Sequence, residues 1–265
     1  MRSDIMSQQK EWVKERYEEI ATGKRRGCCG DASCCGPAVT GERIGYRAEE
    51  LAAVPEGANL GLGCGNPVAL ASIQPGETVL DLGSGAGFDA LLAAARVGPE
   101  GRVIGVDLTP EMIAQARANA AKAGAVNVEF RLGDIETLPV KDASVDLVIS
   151  NCVINLAPDK AKVFREIARV LRPGGRMAIS DLVLDAPLPP SVTCNADSYC
   201  ACLSGAIPRP EYLQAIAEAG LVDLRVVLET DAADLMAGDL GVEASELRGV
   251  ITSISVTARR PGDCC

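Results

Sequence analysis

Eleven cysteines and no histidine occur among the 265 residues of this chain. The missing imidazole excludes Ser-His and Cys-His catalytic pairs and every metal site with a histidine ligand. An odd number of cysteines argues against a disulfide framework, so we expect mostly reduced thiols in a cytoplasmic protein. A free cysteine is often an inert part of the core, but thiolates also bind soft ions. The chemistry of this chain must therefore use thiolates, carboxylates or a cofactor.

A glycine-rich loop provides a candidate nucleotide site. It reads Asp81-Leu-Gly-Ser-Gly-Ala-Gly-Phe88 and lies between a predicted strand and a predicted helix, where backbone amides can face a ligand. It lacks Gly-Lys-Ser/Thr, which excludes a phosphate-binding P-loop. Phe88 fills the last position of the dinucleotide fingerprint, which requires glycine or alanine. The loop therefore indicates a nucleotide-like ligand of another kind.

Three carboxylates narrow down this ligand. Asp107 lies 20 positions after Gly87, at the end of the second predicted strand, where it could accept hydrogen bonds from both ribose hydroxyls. Asp134 follows the third strand and could accept one from an adenine amine, with Ile135 against the ring. Asp81 lies at the tip of the first strand, where a cationic group is favoured. A sulfonium nucleoside with an amino-acid tail fits this set better than an anionic pyrophosphate.

The combination of this glycine-rich loop with the three carboxylates resembles the class I S-adenosylmethionine-dependent methyltransferases. Val79–Gly87, Asp107, Gly133-Asp134 and the segment from Asn151 match motifs of that family in order. The resemblance covers about residues 75–185 and implies S-adenosylmethionine as the cofactor. It implies these cofactor-binding residues: Asp81, Gly83, Ser84, Gly85, Gly87, Asp107, Met112, Asp134, Ile135 and Asn151. The alternative is a Rossmann-like domain that does not bind this cofactor.

Three cysteine-bearing segments extend the resemblance. Gly63-Cys-Gly65 precedes the first strand, Asn151–Lys160 follows the fourth, and Cys202–Ala206 follows the fifth. In this order they resemble the arsenite methyltransferase family, whose members methylate trivalent arsenic. The resemblance then covers most of residues 60–220. It implies three residues as both catalytic groups and arsenic ligands: Cys64, Cys152 and Cys202.

The expected chemistry agrees with these residue types. Arsenic(III) is soft and thiophilic, and three thiolates can bind it as a pyramid whose lone pair attacks the sulfonium methyl. Arsenic carries no proton that must be removed, so a chain without histidine can perform the reaction. The family implies arsenite and methylarsenite as partners, with thioredoxin or glutathione as the reductant. Antimonite, a similar soft metalloid, is a second expected substrate.

The other cysteines have several possible roles. Four of them crowd the Gly/Cys-rich residues 27–41: Cys28, Cys29, Cys34 and Cys35. They could capture arsenite as further ligands, form a disulfide with a core cysteine, or hold a structural zinc ion. Helical spacing places Cys200 about 200° around the axis from Cys202, so we expect Cys200 to pack or cap the site. The remaining three are expected in frayed or inert positions: Cys194, Cys264 and Cys265.

The chain departs from the arsenite methyltransferase family at two places. Many members have Tyr-Tyr-Gly before the first core cysteine, where this chain has Leu60-Gly-Leu-Gly63. Some members have Trp-Gly-Glu before the last core cysteine, where this chain has Tyr199-Cys-Ala201. Both changes alter the aromatic walls of the expected pocket. They leave the number of added methyl groups undetermined and do not affect the three core thiols.

The predicted elements bring these residues together. Strands are predicted at Thr78–Leu82, Arg102–Asp107, Val126–Leu132, Val145–Ser150 and Arg176–Leu182. Helices separate them at Phe88–Val97, from Pro110 onward, and at Lys160–Leu171. This alternation predicts an α/β fold of the Rossmann-like class I methyltransferase type, with a doubly wound, mostly parallel sheet. Two later runs, Val222–Leu228 and Val250–Ala258, predict edge strands that pair antiparallel.

The chain is expected to divide into three parts. Residues 1–59 carry an N-terminal helix over 8–21, the Cys-rich loop and a short helix over 47–54. Residues 60–185 form the cofactor-binding methyltransferase domain. Residues 186–265 form a C-terminal arsenic-binding region with helices near 195–203 and 209–219, followed by the edge strands.

Charge and hydropathy exclude several classes of partner. The net charge of −10 argues against nucleic acid, whose phosphates need a basic surface. No apolar run reaches the roughly 18 residues of a membrane span, so we expect a soluble chain without a membrane partner. The first residues lack the apolar centre of a secretion signal, which favours the cytoplasm.

Two other functions stay open at this point. The first is a methyltransferase of a small organic acceptor such as a quinone precursor, which would tolerate Cys152→Ser because such an acceptor needs no thiolate ligand. The second is a thiol-rich metalloid-binding protein without catalysis. Such a protein would have no need of Asp81, Gly83, Gly85 and Asp107.

Overall fold

A seven-stranded sheet forms the centre of the molecule. The computed structural model describes residues 2–24, 41–192, 195–240 and 242–262. The strands are β1 (Thr78–Leu82), β2 (Arg102–Asp107), β3 (Val128–Leu132), β4 (Val145–Asn151), β5 (Leu171–Leu184), β6 (Val222–Asp231) and β7 (Ile251–Arg259). Their order is β3-β2-β1-β4-β5-β7-β6, with β1 to β5 parallel and β7 antiparallel to both of its neighbours. The order reverses between β1 and β4, where sheets of this kind bind ligands.

Helices pack on both faces of the sheet. They are α1 (Arg2–Ala21), α2 (Ala48–Ala52), α3 (Pro67–Leu70), α4 (Phe88–Val97), α5 (Pro110–Ala123), α6 (Lys160–Val170), α7 (Ala196–Cys200), α8 (Arg209–Glu218), α9 (Ala233–Leu240) and α10 (Ala244–Leu247). A 3₁₀ turn, Ile154–Leu156, follows β4. The helices α4 and α5 pack on one face, and α6 and α8 pack on the other. Among the described helices, none is long and apolar enough to cross a membrane.

Two apolar layers stabilise this arrangement, because each strand presents alternate side chains to opposite faces. In β1, Leu80 and Leu82 belong to the layer of α6 and α8, whereas Val79 belongs to the layer of α4 and α5. Phe164 of α6 and Tyr212 of α8 are fully buried and meet edge to face, with ring centroids 5.3 Å apart. Parallel strands covered on both faces need near-continuous apolar sequences, which β1, β2 and β4 have.

The predicted fold class, with its mostly parallel sheet and antiparallel edge, is confirmed. The prediction that both C-terminal runs are edge strands is wrong for the run Val250–Ala258. This run forms β7, which pairs with β5 on one side and with β6 on the other. Its side chains from Ile251 to Val256 are buried, whereas most of β6 is exposed. Only β6 therefore forms this edge of the sheet, because its alternating charged residues need solvent.

The structure also corrects some helix boundaries. The predicted helix 195–203 ends at Cys200, and Cys202 lies outside it with a φ of 65°. The helices α3, α9 and α10 were not predicted, because they are too short to produce a clear helical period. The boundaries at 59/60 and 185/186 between three parts of the chain stay a prediction.

A third apolar cluster covers the carboxyl ends of β4 and β5. It contains four cysteines together with side chains of α1, α7 and α9. Val13 and Ile20 of α1 are buried. Trp12 of α1 meets Tyr199 of α7 edge to face, with ring centroids 6.3 Å apart. The N-terminal helix thus packs over the end of the sheet that holds the candidate site.

Candidate active site

An open cleft lies at the carboxyl ends of β1, β2 and β4. Most predicted cofactor-binding residues line it: Asp81, Gly83, Ser84, Gly85, Asp107, Asp134, Ile135 and Asn151. Within the described part of the chain, two predicted residues are not among its lining. Gly87 begins α4 with a φ of 93°. Met112 is fully buried beside Ile20 and Ala86, because it lies on the face of α5 that packs inward.

The glycine loop lies unusually close to the segment after β4. Gly83 has a φ of 64°, and a Cβ atom there would lie 2.3 Å from Val153 Cγ2. The Gly85 amide donates to Asp107 Oδ2 at 2.9 Å, and the Thr109 amide donates to Asp107 Oδ1 at the same distance. These hydrogen bonds fix the Asp107 carboxylate beside the loop, where the sequence predicts a ribose contact.

We expect Gly83→Ala to destabilise the protein. A left-handed residue with a Cβ atom costs about 1–2 kcal/mol, and the clash with Val153 adds to it, so the free energy of unfolding should fall by at least about 2 kcal/mol. Urea denaturation measures this change. Gly124→Ala is the matched control, because Gly124 has the same φ of 64° but no atom within 4 Å of a Cβ. Equal losses in the two variants would contradict the role of the close packing.

Two buried polar atoms in the wall of the cleft have no hydrogen-bond partner in the described part of the protein, namely Asp81 Oδ2 and Ser84 Oγ. Asp81 is only 2% exposed. Burial, together with the carboxylates of Asp89 and Asp107, raises the pKa of Asp81 well above its usual value. A buried acceptor beside other carboxylates favours a cationic donor. The pair therefore fits the ammonium group of the amino-acid tail predicted from the sequence.

The predicted adenine contact at Asp134 is shared with the N-terminal helix. Lys10 of α1 lies with its Nζ 2.6 Å from Asp134 Oδ2 and 2.7 Å from Glu136 Oε2. Asp134 Oδ1 accepts a hydrogen bond from the Glu136 amide at 2.8 Å. Lys10 and Ile135 both line the cleft. A ligand that reaches Asp134 must therefore share this carboxylate with Lys10.

A buried hydrogen-bond network connects the cleft to Cys64. The Tyr46 hydroxyl donates to Asp89 Oδ1 at 2.6 Å, and Asn151 Nδ2 donates to Asp89 Oδ2 at 3.2 Å. Asn151 Oδ1 accepts from the amides of Cys64 and Gly65 at 3.0 and 3.3 Å. Burial raises the pKa of Asp89 to about 6, although these hydrogen bonds favour its ionised form. Asn151 thus ties the end of β4 to the first core cysteine.

The raised pKa of Asp89 predicts a pH-dependent stability. A carboxyl with an ordinary pKa of 3.8 and a folded pKa of about 6 binds its proton more tightly when folded. Its ionisation therefore destabilises the fold as the pH rises from about 4 to about 6. The difference in unfolding free energy between Asp89→Asn and the wild type should therefore grow in favour of the variant by up to about 3 kcal/mol as the pH rises from about 4 to about 6. Above that range the difference should stay constant. Urea unfolding at a series of pH values measures the difference, and a pH-independent difference would contradict it.

Three cysteines from distant parts of the chain meet beside the cleft. Cys64, Cys152 and Cys202 are 5%, 8% and 4% exposed. The Sγ atoms of Cys64 and Cys152 lie within 4.8 Å of each other, and the Cys202 thiol donates to the Cys152 carbonyl oxygen at 2.8 Å. Cys152 also lines the cleft. One thiol of the cluster therefore borders the candidate cofactor site.

Glycines beside Cys64 explain how its segment reaches the other strands. A Cβ atom on Gly63 would lie 2.6 Å from Asn151 Nδ2, and one on Gly65 would lie 2.6 Å from Ser180 Oγ. Side chains at these positions would push Cys64 away from the ends of β4 and β5. The Gly-Cys-Gly pattern is thus a requirement for close approach.

The other two core cysteines have strained backbones. Cys152 and Cys202 have φ values of 58° and 65°, in the left-handed region that non-glycine residues rarely adopt. Such conformations persist only where the surroundings fix them, and they concentrate at functional sites. Gly205, three residues after Cys202, lies so close to the 3₁₀ turn after β4 that a Cβ atom would be 2.2 Å from the Asn155 carbonyl oxygen. This close approach holds the Cys202 turn against the segment after Cys152.

The surroundings of Cys64 and Cys152 favour the protonated form of these two thiols. Burial raises the pKa of Cys64. Hydrogen bonding with Cys202 and Cys64, and then burial, raise the pKa of Cys152 well above its usual value. Thiols in such surroundings are weak nucleophiles until a thiophilic ion replaces their protons.

Cys200 does not point into this cluster. Its thiol donates to the Trp12 carbonyl oxygen at 3.4 Å, and the Tyr17 hydroxyl donates to the Cys200 carbonyl oxygen at 3.4 Å. Cys200 therefore packs against α1. The expectation that it packs or caps the site assumed a helix over 195–203, which in the structure ends at Cys200. The other predicted cysteine positions lie outside the described residues: Cys28, Cys29, Cys34, Cys35, Cys194, Cys264 and Cys265.

Comparison with known proteins agrees with this geometry. Residues 73–223 match the family model of a methyltransferase domain. The crystal structure of CrArsM, an arsenic(III) S-adenosylmethionine methyltransferase from Chlamydomonas reinhardtii, superposes with a TM-score of 0.63. It is 33% identical, and the match covers 85% of this chain and 75% of that one. The chain belongs to the arsenite S-adenosylmethionine methyltransferase family.

Curated relatives carry the same similarity over longer chains. An arsenite methyltransferase of Halobacterium salinarum is 49% identical over 95% of this chain and 66% of its own length. An arsenite methyltransferase of Aquipseudomonas alcaligenes is 40% identical over 62% of this chain and 49% of its own length. This member of the family thus spans about half to two thirds of the length of these relatives.

The sequence analysis did not identify Asp181, a buried carboxylate beside the core thiols. A carboxylate oxygen of Asp181 lies within 4.8 Å of the Sγ atoms of Cys64 and Cys152. Burial raises the pKa of Asp181 to about 7. The signal was present, because Asp181 is the only charged residue in the apolar run 177–184 of β5. A lone carboxylate in such a run has to have a partner or a function.

Proposed function

We propose that this chain methylates trivalent arsenic, transferring a methyl group from S-adenosylmethionine to arsenite bound by Cys64, Cys152 and Cys202. The observation that carries the proposal is the cluster of these three buried thiols beside a cleft lined by methyltransferase motif residues. Three thiolates suit a soft, pyramidal ion. Membership of the arsenite methyltransferase family supports the same substrate.

Arsenic binding needs no catalytic base. Arsenous acid exchanges its three hydroxyl groups for three thiolates, and each thiol proton leaves with a hydroxyl group as water. The high pKa of Cys152 is therefore no obstacle, because no free thiolate has to accumulate. The strained turns at Cys152 and Cys202 hold their thiols before arsenic arrives, which reduces the entropy lost on binding.

The residues of the cleft suit the cofactor. When bound there, S-adenosylmethionine would supply an electrophilic methyl group to the lone pair of arsenic. Asp81 and Ser84 would offer their unsatisfied oxygens to the ammonium group of the amino-acid tail, and Asp107 would offer acceptors to the ribose. Asp134 and Ile135 are proposed to contact the adenine. Cys152 borders both sites, so it aligns arsenic with the cleft, and positioning of this kind can contribute about 7–11 kcal/mol at best.

Methyl transfer raises arsenic from the trivalent to the pentavalent state, so a return to trivalent methylarsenite takes two electrons. Thiol–disulfide exchange with thioredoxin or glutathione is proposed to supply them. The core thiols bind arsenic only when reduced, which suits a cytoplasmic setting. Antimonite is proposed as a second substrate because it is also soft. The cysteines at positions 28, 29, 34 and 35 are proposed to capture arsenite.

Two rival functions explain fewer observations. A methyltransferase of a small organic acceptor has no use for three buried thiols, two of them in strained turns. A metalloid-binding protein without catalysis leaves the unsatisfied Asp81 and Ser84 oxygens unexplained. Both rivals keep the fold, but the first predicts a methylated organic product and the second predicts no methylated product.

The direct test is methyl transfer to arsenite. The reduced chain, labelled S-adenosylmethionine and arsenite are incubated with a thiol reductant, and the products are separated by chromatography and identified by mass spectrometry. We expect labelled methylarsenicals. A chain that binds the cofactor but labels only a quinone precursor would instead be a methyltransferase of organic acceptors.

A further inference from the structure

The carboxylate of Asp181 has no role in the arsenic chemistry proposed above. Its oxygen and the Sγ atoms of Cys64 and Cys152 all lie within 4.8 Å of one another, and all three residues are buried. Pyramidal arsenic(III) takes its three ligands from thiols and prefers them to carboxylates. A carboxylate at this position is therefore a fourth potential ligand that the proposed substrate does not use.

Asp181 is held in place and retains the capacity to bind an ion. Its Oδ1 accepts from Asn155 Nδ2 at 2.8 Å and from the Leu182 amide at 2.9 Å. Its Oδ2 accepts from the Tyr212 hydroxyl at 3.0 Å, which leaves one of the two lone pairs of Oδ2 unused. Among the described residues, no cation is in ion-pair contact with Asp181, although the charge of buried Lys160 acts on it from a distance and lowers its pKa. A buried carboxylate without a cation in direct contact is costly to ionise, and a cation bound beside it would offset that cost.

The donor set suits a tetrahedral ion. Cys202 lies beside Cys152, because its thiol donates to the Cys152 carbonyl oxygen at 2.8 Å. Zinc binds thiolates at about 2.3 Å and carboxylates at about 2.0–2.2 Å, so its tetrahedral ligands lie about 3.5–3.8 Å apart. The ligand atoms of Cys64, Cys152 and Asp181 lie within 4.8 Å of one another, so small side-chain rotations can bring them to these separations.

We propose that the arsenic site also binds a divalent thiophilic cation such as Zn²⁺ through four ligands: Cys64, Cys152, Cys202 and Asp181. The thiol protons leave to solvent on binding. This second binding mode rests on the proposed function of the same thiols, and it makes the cation a competitor of arsenite. A bound Zn²⁺ ion has no lone pair to attack a methyl group, so it inhibits the enzyme.

Cobalt(II) is the probe for this site, because a tetrahedral thiolate complex gives intense visible and near-ultraviolet absorption. The titration uses a variant in which seven cysteines are replaced by serine: Cys28, Cys29, Cys34, Cys35, Cys194, Cys264 and Cys265. The reduced variant is titrated with Co²⁺, and arsenite is then added. We expect one Co²⁺ ion per chain with a tetrahedral, thiolate-ligated spectrum, displaced by stoichiometric arsenite. Absent binding, or binding that arsenite does not displace, would overturn the proposal.

The variant Asp181→Asn distinguishes the binding of a divalent cation from the binding of arsenite. It should weaken Co²⁺ and Zn²⁺ binding at least about tenfold and leave arsenite binding nearly unchanged. Tyr212→Phe is the matched control: it removes a hydrogen bond to Asp181 but keeps the carboxylate, so it should retain the cobalt spectrum. An Asp181→Asn variant that binds both ions as well as the wild type, or loses both, would overturn the assignment. Because these titrations need no methyl transfer, they stay informative even if the proposed reaction fails.

Discussion

Cys152→Ser should abolish methyl transfer to arsenite while leaving cofactor binding intact. Cys152 is the core thiol that both belongs to the cysteine cluster and lines the cleft. A serine hydroxyl is a hard donor and does not replace a thiolate on arsenic. Because a displacement of the reacting atom by about 1 Å can reduce the rate about a hundredfold, we expect a loss of at least that size. Initial rates with labelled S-adenosylmethionine measure the loss, and calorimetry measures cofactor binding.

The matched control for this prediction is Cys200→Ser. Cys200 is equally buried and lies two residues from Cys202, but its thiol donates to the Trp12 carbonyl oxygen of α1. We expect this variant to keep most of the activity. A Cys152→Ser enzyme with activity similar to that of Cys200→Ser would show that arsenic is not held by the core cluster.

Asp81→Asn should weaken S-adenosylmethionine binding about 10- to 100-fold, the range expected for one lost hydrogen bond to a charged group. The same substitution should stabilise the protein in the absence of cofactor at neutral pH. Burial and the carboxylates of Asp89 and Asp107 raise the pKa of Asp81, so its ionised form destabilises the fold above its ordinary pKa. A lower affinity for the cofactor together with a higher stability of the free protein would indicate that the Asp81 carboxylate serves ligand binding at the expense of stability.

Asp146→Asn is the control for the second prediction. Asp146 lies near the amino end of β4, where its Oδ2 accepts from the Thr78 amide at 2.8 Å, far from the cleft. Its replacement should leave the affinity for the cofactor unchanged. Calorimetric titration and thermal unfolding of both variants give the two quantities. An Asp81→Asn protein that binds the cofactor as tightly as Asp146→Asn would contradict the assignment of Asp81.

The sheet could be predicted from the sequence because its signals are local. The strand from Thr78 to Leu82 and the helix from Phe88 to Val97 have the predicted bounds, since apolar runs and the glycine loop mark their ends. The convergence of the three core cysteines was implied only by family resemblance. Its physical cause, the close approach allowed by Gly63, Gly65 and Gly205, appears only when the strands are in place.

Other parts depend on contacts that no local pattern encodes. The run that forms β7 reads like any edge strand until β6 is seen to cover its other side. Asn151 was predicted to contact the cofactor, but its amide also binds the backbone of Cys64, 87 residues earlier in the chain. Lys10 pairs with Asp134 across 124 residues. These long-range contacts depend on the topology of the fold and cannot be predicted from spacing in the sequence.

The most direct test of the central claim is the number of sulfur ligands around bound arsenic. The sample is a reduced variant in which serine replaces Cys28, Cys29, Cys34, Cys35, Cys194, Cys264 and Cys265. Arsenic X-ray absorption is recorded after one equivalent of arsenite is added. We expect three sulfur ligands, and two sulfurs with one oxygen after Cys152→Ser is added. Three sulfurs around arsenic despite Cys152→Ser, or fewer than three before it, would contradict binding by Cys64, Cys152 and Cys202.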